Sequence, residues 1–180
     1  MMISMPDPTD LLCAPIREAV PSDCSGIADV QVRGWQAAYR GMLPDEYLDG
    51  LDPAARLKIW ERFVNDGTGR LFVAEKNGRI AGFCHVMPSR DPDADRDAEI
   101  AAIYVDPDQW RMGYGGRLCM TARGFAIEQG FRHMTLWVLR ENTMGRRFYE
   151  TMGFQVDGAT KSEKRPGIVL DEVRYRMELD

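Results

Sequence analysis

Apolar positions along the chain change period several times, and the changes mark its elements. Ile16–Ala19 reads as a short strand. After Pro21, Ser22 or Asp23 is placed to cap a helix in which Ile27, Val30, Gln31, Gly34, Trp35 and Ala38 recur at helical spacing as far as about Tyr39. Gly41 stops that helix, Pro44 opens a short helical turn, and Pro53 opens another segment reaching about Asn65. The pattern then turns β-like. Arg70–Glu75 and Arg79–Met87 flank Lys76-Asn77-Gly78, where Asn-Gly predicts a tight hairpin. A polar, acid-rich loop (Pro88–Asp97) precedes a third apolar run, Glu99–Val105. Gly113–Gly116 leads into a helix from about Gly115 to Gln129. Met134–Leu139 reads as a strand and Asn142–Met152 as a helix. Phe154–Val156 and Ile168–Leu179 read as late strands, separated by a polar, lysine-bearing loop. Strands grouped in the middle of the chain argue against a doubly wound sheet and for a mixed sheet of the α+β kind.

Composition narrows the picture. The 180 residues are enough for one domain, taken as residues 16–180; the proline-rich first fifteen residues read as a loose leader without signal-peptide character. A net charge of −5 disfavours nucleic acid as a partner. No apolar run approaches the ~18 residues of a membrane span. Cys13, Cys24, Cys84 and Cys119 are scattered without a C-x-x-C, which points to free thiols in a reducing cytosol and to no bound metal.

The candidate chemistry begins at Gly113-Tyr114-Gly115-Gly116. A strand, a glycine-rich turn and a helix make an anion site: the backbone can approach closely, the first helical amides have no internal partner, and the helix dipole adds positive potential. A pyrophosphate fits such a turn. The P-loop lysine is missing, and the third glycine of the dinucleotide fingerprint is replaced by Leu118. By itself the turn leaves a mere change of chain direction equally open.

The stretch from Ala101 to Leu118 resembles the acetyl-CoA motif of the Gcn5-related N-acetyltransferase (GNAT) superfamily, Gln/Arg-x-x-Gly-x-Gly/Ala, with Trp110 at the Gln/Arg position. Asn142 to Phe154 is similar to the family's second signature, an Asn followed seven residues on by a Tyr and then Gly-Phe. Trp35 to Gly41, with Leu43-Pro44, is similar to many of its small-molecule members. The resemblance covers nearly the whole chain from Ile16. It implies a central, mostly antiparallel mixed sheet flanked by helices, an acetyl-CoA cosubstrate, and direct attack of an amine on the thioester.

On that resemblance, the fourth and fifth strands splay and the cofactor arm bonds exposed backbone at Ile103, Tyr104 and Val105. Arg111, Met112, Gly113, Tyr114, Gly115, Gly116 and Arg117 hold the pyrophosphate, and Asn142 bonds the arm. Tyr149 would protonate the leaving thiolate. Glu99, opening the fourth strand, is the candidate base, with an exposed strand-end acid as the equal alternative. Trp35, Tyr39 and Tyr47, with Asp45 and Glu46 nearby, are candidates for an aromatic, acidic acceptor pocket, although core packing is the simpler account of Trp35 and of Tyr39. His85 is expected in packing and His133 at the surface. The acceptor is a small-molecule amine or a peptide amine, the chain a monomer or homodimer. A non-catalytic acyl-CoA sensor is disfavoured by the presence of both Tyr149 and Asn142.

Overall fold

The computed structural model describes residues 15–179; the expected leader, apart from Pro15, lies outside them, as does Cys13. Seven strands form one sheet in the order β1-β2-β3-β4-β5-β7-β6: β1 Ile16–Glu18, β2 Arg70–Lys76, β3 Arg79–Pro88, β4 Asp97–Val105, β5 His133–Leu139, β6 Gln155–Arg165 and β7 Ile168–Glu178. Every pairing is antiparallel except β4 with β5. The helices are α1 Cys24–Ala38, α2 Asp45–Asp49, α3 Pro53–Asp66, α4 Tyr114–Glu128 and α5 Thr143–Thr151. The α+β mixed sheet expected from the sequence is therefore present.

Alternation along the strands divides the core between the two faces of the sheet. Leu71, Val73 and Phe83 pack with Ile27, Val30 and Trp60 of α1 and α3. Ala74, Cys84 and Val86 pack on the other side with Leu118, Cys119 and Ala122 of α4, and Phe148 and Tyr149 of α5 lie against the same cluster. At Gly34 the first helix closes onto the sheet, since a Cβ there would stand 3.2 Å from the Tyr104 ring. Cys24, Cys84 and Cys119 are buried free thiols.

Two expectations need correcting. The segment expected to be a polar loop after Val156 is mostly the edge strand β6, joined to β7 through Pro166-Gly167. Its side chains are almost all exposed, so neither face carries the alternation that marks a strand. Between Val156 and Thr160 the register also shifts, with three residues opposing Arg174 alone. Charges and an irregularity on an edge strand are how sheets avoid pairing with other chains. At the start of α1, Asp23 holds the N-cap position, but neither its side chain nor that of Ser22 bonds a helix amide. A 3₁₀ turn, Pro21–Asp23, leads into it, and the Asp23 carboxylate instead accepts from the Val20 amide and from Arg17.

Candidate active site

Parallel pairing of β4 with β5 runs from Asp97–His133 to Ile100–Leu136 and stops. On its other edge β4 carries a bulge at the same place: Val86 opposes Ile100 and His85 opposes Ala102, leaving Ala101 as the extra residue. Bulges bend a strand and sharpen its twist. Beyond Ala101 the two strands part, so the β5-facing edge of residues 101–105 is unpaired. A cleft of ≈ 530 Å³ occupies the gap.

One end of the cleft is the glycine turn. Gly113 is the N-cap of α4 at φ +82, a conformation that glycine adopts without strain, and no side chain caps the helix. Arg117 is the first amide bonded back, to the Gly113 carbonyl. The amides of Tyr114, Gly115 and Gly116 thus lack helical acceptors at the positive end of the helix dipole. Arg111 precedes the turn at φ +64, an uncommon conformation for a residue with a side chain. Arg111, Gly113, Tyr114, Gly115 and Gly116 line the cleft; Met112 and Arg117 are not among its lining residues, and Met112 is exposed. Trp110, at the motif's polar position, donates its indole N–H to the Val105 carbonyl at 2.9 Å. That bond braces the turn and engages one lone pair of the Val105 carbonyl.

Asn142 and Tyr149 meet the cleft from α5. Asn142 is buried and caps the helix, its Oδ1 accepting the Gly145 amide at 2.9 Å; its amino group is not used in that cap. Tyr149 stacks against Phe148, Phe154 and Tyr175, and its hydroxyl makes no hydrogen bond among the described residues. Burial pushes its phenol well above the ordinary range, so the proton stays on at neutral pH.

A second cavity, ≈ 410 Å³, adjoins the cleft. Tyr39, Ile100, Ala101, Tyr104, Trp137 and Val138 line both. Trp35 and Tyr39 face this cavity, edge to face with centroids 5.0 Å apart, and the Tyr39 hydroxyl meets that of Tyr104 at 3.2 Å. Tyr47 lines neither cavity; it packs against the β6–β7 turn, while Asp45 pairs with Arg40 at the surface. Glu99 is not an exposed strand-end acid. It lines the second cavity at 3% exposure and takes a two-pronged ion pair from Arg90, at 2.6 and 3.1 Å. Burial pushes its carboxyl up, but the hydrogen bonds and charge of Arg90 outweigh that and hold it below the ordinary carboxylate range.

Sequence reasoning missed Trp137, Lys161 and Glu172. Lys161 lies in the segment that reads as a loop. Trp137 reads as one more member of an apolar run, although it faces away from buried Leu136 and Val138. A signal for Glu172 was available: it continues the alternating series Ile168, Leu170, where a carboxylate interrupts a buried face. Burial pushes the Glu172 carboxyl above its ordinary value against the opposing pull of Lys161. His85 is packed as expected, against Trp60 and Phe63, with Nε2 at 3.0 Å from the Thr68 carbonyl oxygen. His133 opens β5 as expected but is only partly exposed, adjoining buried Asp97 at 3.0 Å and Arg176 at 2.9 Å. Among the described residues, no group of three His, Cys, Asp or Glu side chains is arranged to hold a metal, and no helix is long and apolar enough to cross a membrane.

Comparison with known proteins agrees with this architecture. Residues 34–154 match the acetyltransferase (GNAT) family. A probable N-acetyltransferase of Mycobacterium tuberculosis is 31% identical over 169 residues, 90% of this chain and 92% of that one. An uncharacterized N-acetyltransferase of Bacillus subtilis is 31% identical over 128 residues, 71% of this chain and 72% of that one. Among solved structures, an N-acetyltransferase from Staphylococcus aureus superposes with a TM-score of 0.72 at 20% identity, covering 92% of this chain and 98% of that one. The PaiA N-acetyltransferase of Thermoplasma acidophilum, solved with coenzyme A, gives 0.71 at 19% identity, covering 91% and 98%.

Proposed function

The chain belongs to the acetyltransferase (GNAT) family, and from that premise we propose that it transfers an acetyl group from acetyl-CoA to a primary amine of a small molecule, by direct attack. The observation that carries this reading is the parting of β4 and β5, with an uncapped helix N-terminus at one end of the gap and the proton-bearing Tyr149 on its wall. An uncapped, glycine-lined helix start fits a pyrophosphate, and an unpaired strand edge fits an amide-bearing arm. The complex of the Thermoplasma protein with coenzyme A is in keeping with it.

When bound, acetyl-CoA supplies the activated acetyl group. The chain's own residues do the rest. The amides of Tyr114, Gly115 and Gly116 hold the phosphates; the unpaired backbone around Ile103 aligns the arm; the Asn142 amino group is free to donate to it. An alkylamine has a pKa near ~10 and arrives mostly charged. The carboxylates of the second cavity favour the ammonium form on entry. Glu99, locked to Arg90 and low in pKa, serves as a fixed negative charge; the ammonium loses one proton to solvent before its nitrogen attacks, and the proton that nitrogen sheds on acylation replaces the one Tyr149 gives up. Tyr149 holds at its hydroxyl the proton that the departing sulfur requires, a role worth ~10²–10⁴-fold for a well-placed acid.

The shape of the second cavity supports a small-molecule acceptor. The β6–β7 hairpin walls it with Lys161, Glu163, Arg165, Leu170 and Glu172, which leaves a chamber suited to a compact ligand. The test is an acetyl-CoA-dependent thiol-release screen over small amines and peptides, with products identified by mass. Acetylation of one or more small amines above all peptides supports the proposal. Efficient acetylation of peptides alone replaces the small molecule with a peptide acceptor, and thiol release with no acetylated amine contradicts amine transfer altogether.

A further inference from the structure

A primary ammonium already sits in the acceptor cavity, and it is the chain's own. Lys161, on the edge strand β6, places Nζ 4.4 Å from the centroid of the Trp137 ring and 3.3 Å from a Glu172 carboxylate oxygen. The face of an indole attracts a cation through its quadrupole, and a carboxylate beside it completes a subsite for an alkylammonium group.

The three members differ in how firmly they are held. Trp137 is fixed: its indole N–H donates to both Asp91 carboxylate oxygens at 3.1 and 3.2 Å, and Asp91 is anchored in turn by Arg174. Glu172 stands on a central region of β7, where its side chain is 16% exposed. Lys161 is the loose member, 39% exposed on a long flexible stem at the sheet edge. Its departure costs one partly solvated ion pair and one cation–π contact, both of which an entering alkylammonium restores. The fixed pair it would leave behind lies beside the seam with the cleft, because Trp137 lines both cavities.

Resting on the acetyl-transfer reading, we propose that Trp137 and Glu172 form the subsite that receives the acceptor's primary ammonium, and that Lys161 fills this subsite in the free protein and is displaced when the acceptor enters. The acceptor is accordingly an alkylamine whose ammonium group and adjoining methylenes resemble the end of a lysine side chain. Lys161 acts as a competing occupant and Glu172 as a specificity-determining carboxylate.

The test follows the indole N–H resonance of Trp137, identified by its loss in Trp137→Phe, while n-hexylammonium chloride is titrated into coenzyme A-loaded protein. Wild type, Lys161→Met, Glu172→Gln and the Lys161→Met/Glu172→Gln double variant are compared, with n-hexanol as the uncharged control. The expected result is half-saturation at about tenfold lower concentration in Lys161→Met than in wild type, a shift of about one factor of ten in affinity. The response is lost in the double variant and absent with hexanol. Equal half-saturation in wild type and Lys161→Met, an unchanged response without Glu172, or no response in any form overturns the subsite. Failure of coenzyme A itself to perturb the amides of Tyr114–Gly116 would instead overturn the acetyl-transfer reading beneath it.

Discussion

The hydroxyls of Tyr39 and Tyr104 stand 3.2 Å apart, tying the end of α1 to β4 at the seam where the two cavities meet. Each is the other's hydrogen-bond partner, and burial raises both phenols, Tyr39 well above its usual value. Replacing either by Phe leaves the remaining hydroxyl without its partner. We expect each single change to cost on the order of 1 kcal/mol in denaturant unfolding, and the double change to cost less than the sum. Strict additivity would show that the two hydroxyls do not interact.

Arg90 holds the Glu99 carboxyl below its ordinary range. A carboxyl depressed in the folded state contributes stability above its unfolded pKa and loses it as pH falls through the folded value. In Arg90→Ala, burial is opposed only by the residue-90 backbone amide and the charge of Lys161 and raises the folded value, so ionised Glu99 then opposes folding at neutral pH. The variant should be less stable than wild type by on the order of 1–3 kcal/mol at pH 7, with the gap shrinking by pH 4. A gap independent of pH, read from unfolding curves at both values, would detach Glu99 from this pair.

Arg174 is buried at 7% exposure and binds Asp91, Asp93 and Asp157, joining the β3–β4 loop to the β6 irregularity. Its hydrogen bonds pull the Asp93 carboxyl down to about 2. Arg174→Met removes the shared cation and leaves Asp91 and Asp157 partly buried. Losing the charged hydrogen bonds to the two partly buried carboxylates should cost on the order of 1–3 kcal/mol, and thermal unfolding should report it. A variant as stable as wild type would mean that the carboxylates find water at no cost.

Tyr149→Phe keeps the ring and its contacts while removing the hydroxyl. With an acceptor from the thiol-release screen, kcat should fall by ~10²–10⁴-fold while acetyl-CoA affinity holds. Wild-type turnover under conditions where chemistry limits the rate would make Tyr149 a packing residue and move the acid elsewhere.

The elements around the β4–β5 cleft were legible because each carries a strong local signal. Gly113 and Gly115 mark a turn and helix start, Asn142 marks a cap, and Glu99–Val105 is a continuous apolar run of strand length. The second cavity was less legible for physical reasons. Its walls are a polar edge strand without alternation, and its charges acquire meaning only through partners distant in sequence: Glu99 through Arg90, Glu172 through Lys161, Trp137 through Asp91. Tyr47 shows the converse, an aromatic near the right helix that spends itself on the β6–β7 turn instead.

The central claim is that the cleft between β4 and β5 binds acetyl-CoA through the amides at the start of α4. Calorimetric titration of acetyl-CoA into wild type and Gly115→Asp tests it most directly. A Cβ at Gly115 would meet the Phe148 ring at 3.4 Å, a contact the ring can absorb, so the variant should stay folded while its carboxylate faces the phosphates. We predict one-to-one binding to wild type and affinity lower by on the order of 100-fold in the variant, about 2.7 kcal/mol. Equal affinity in a folded Gly115→Asp, or no binding to wild type, would contradict the account.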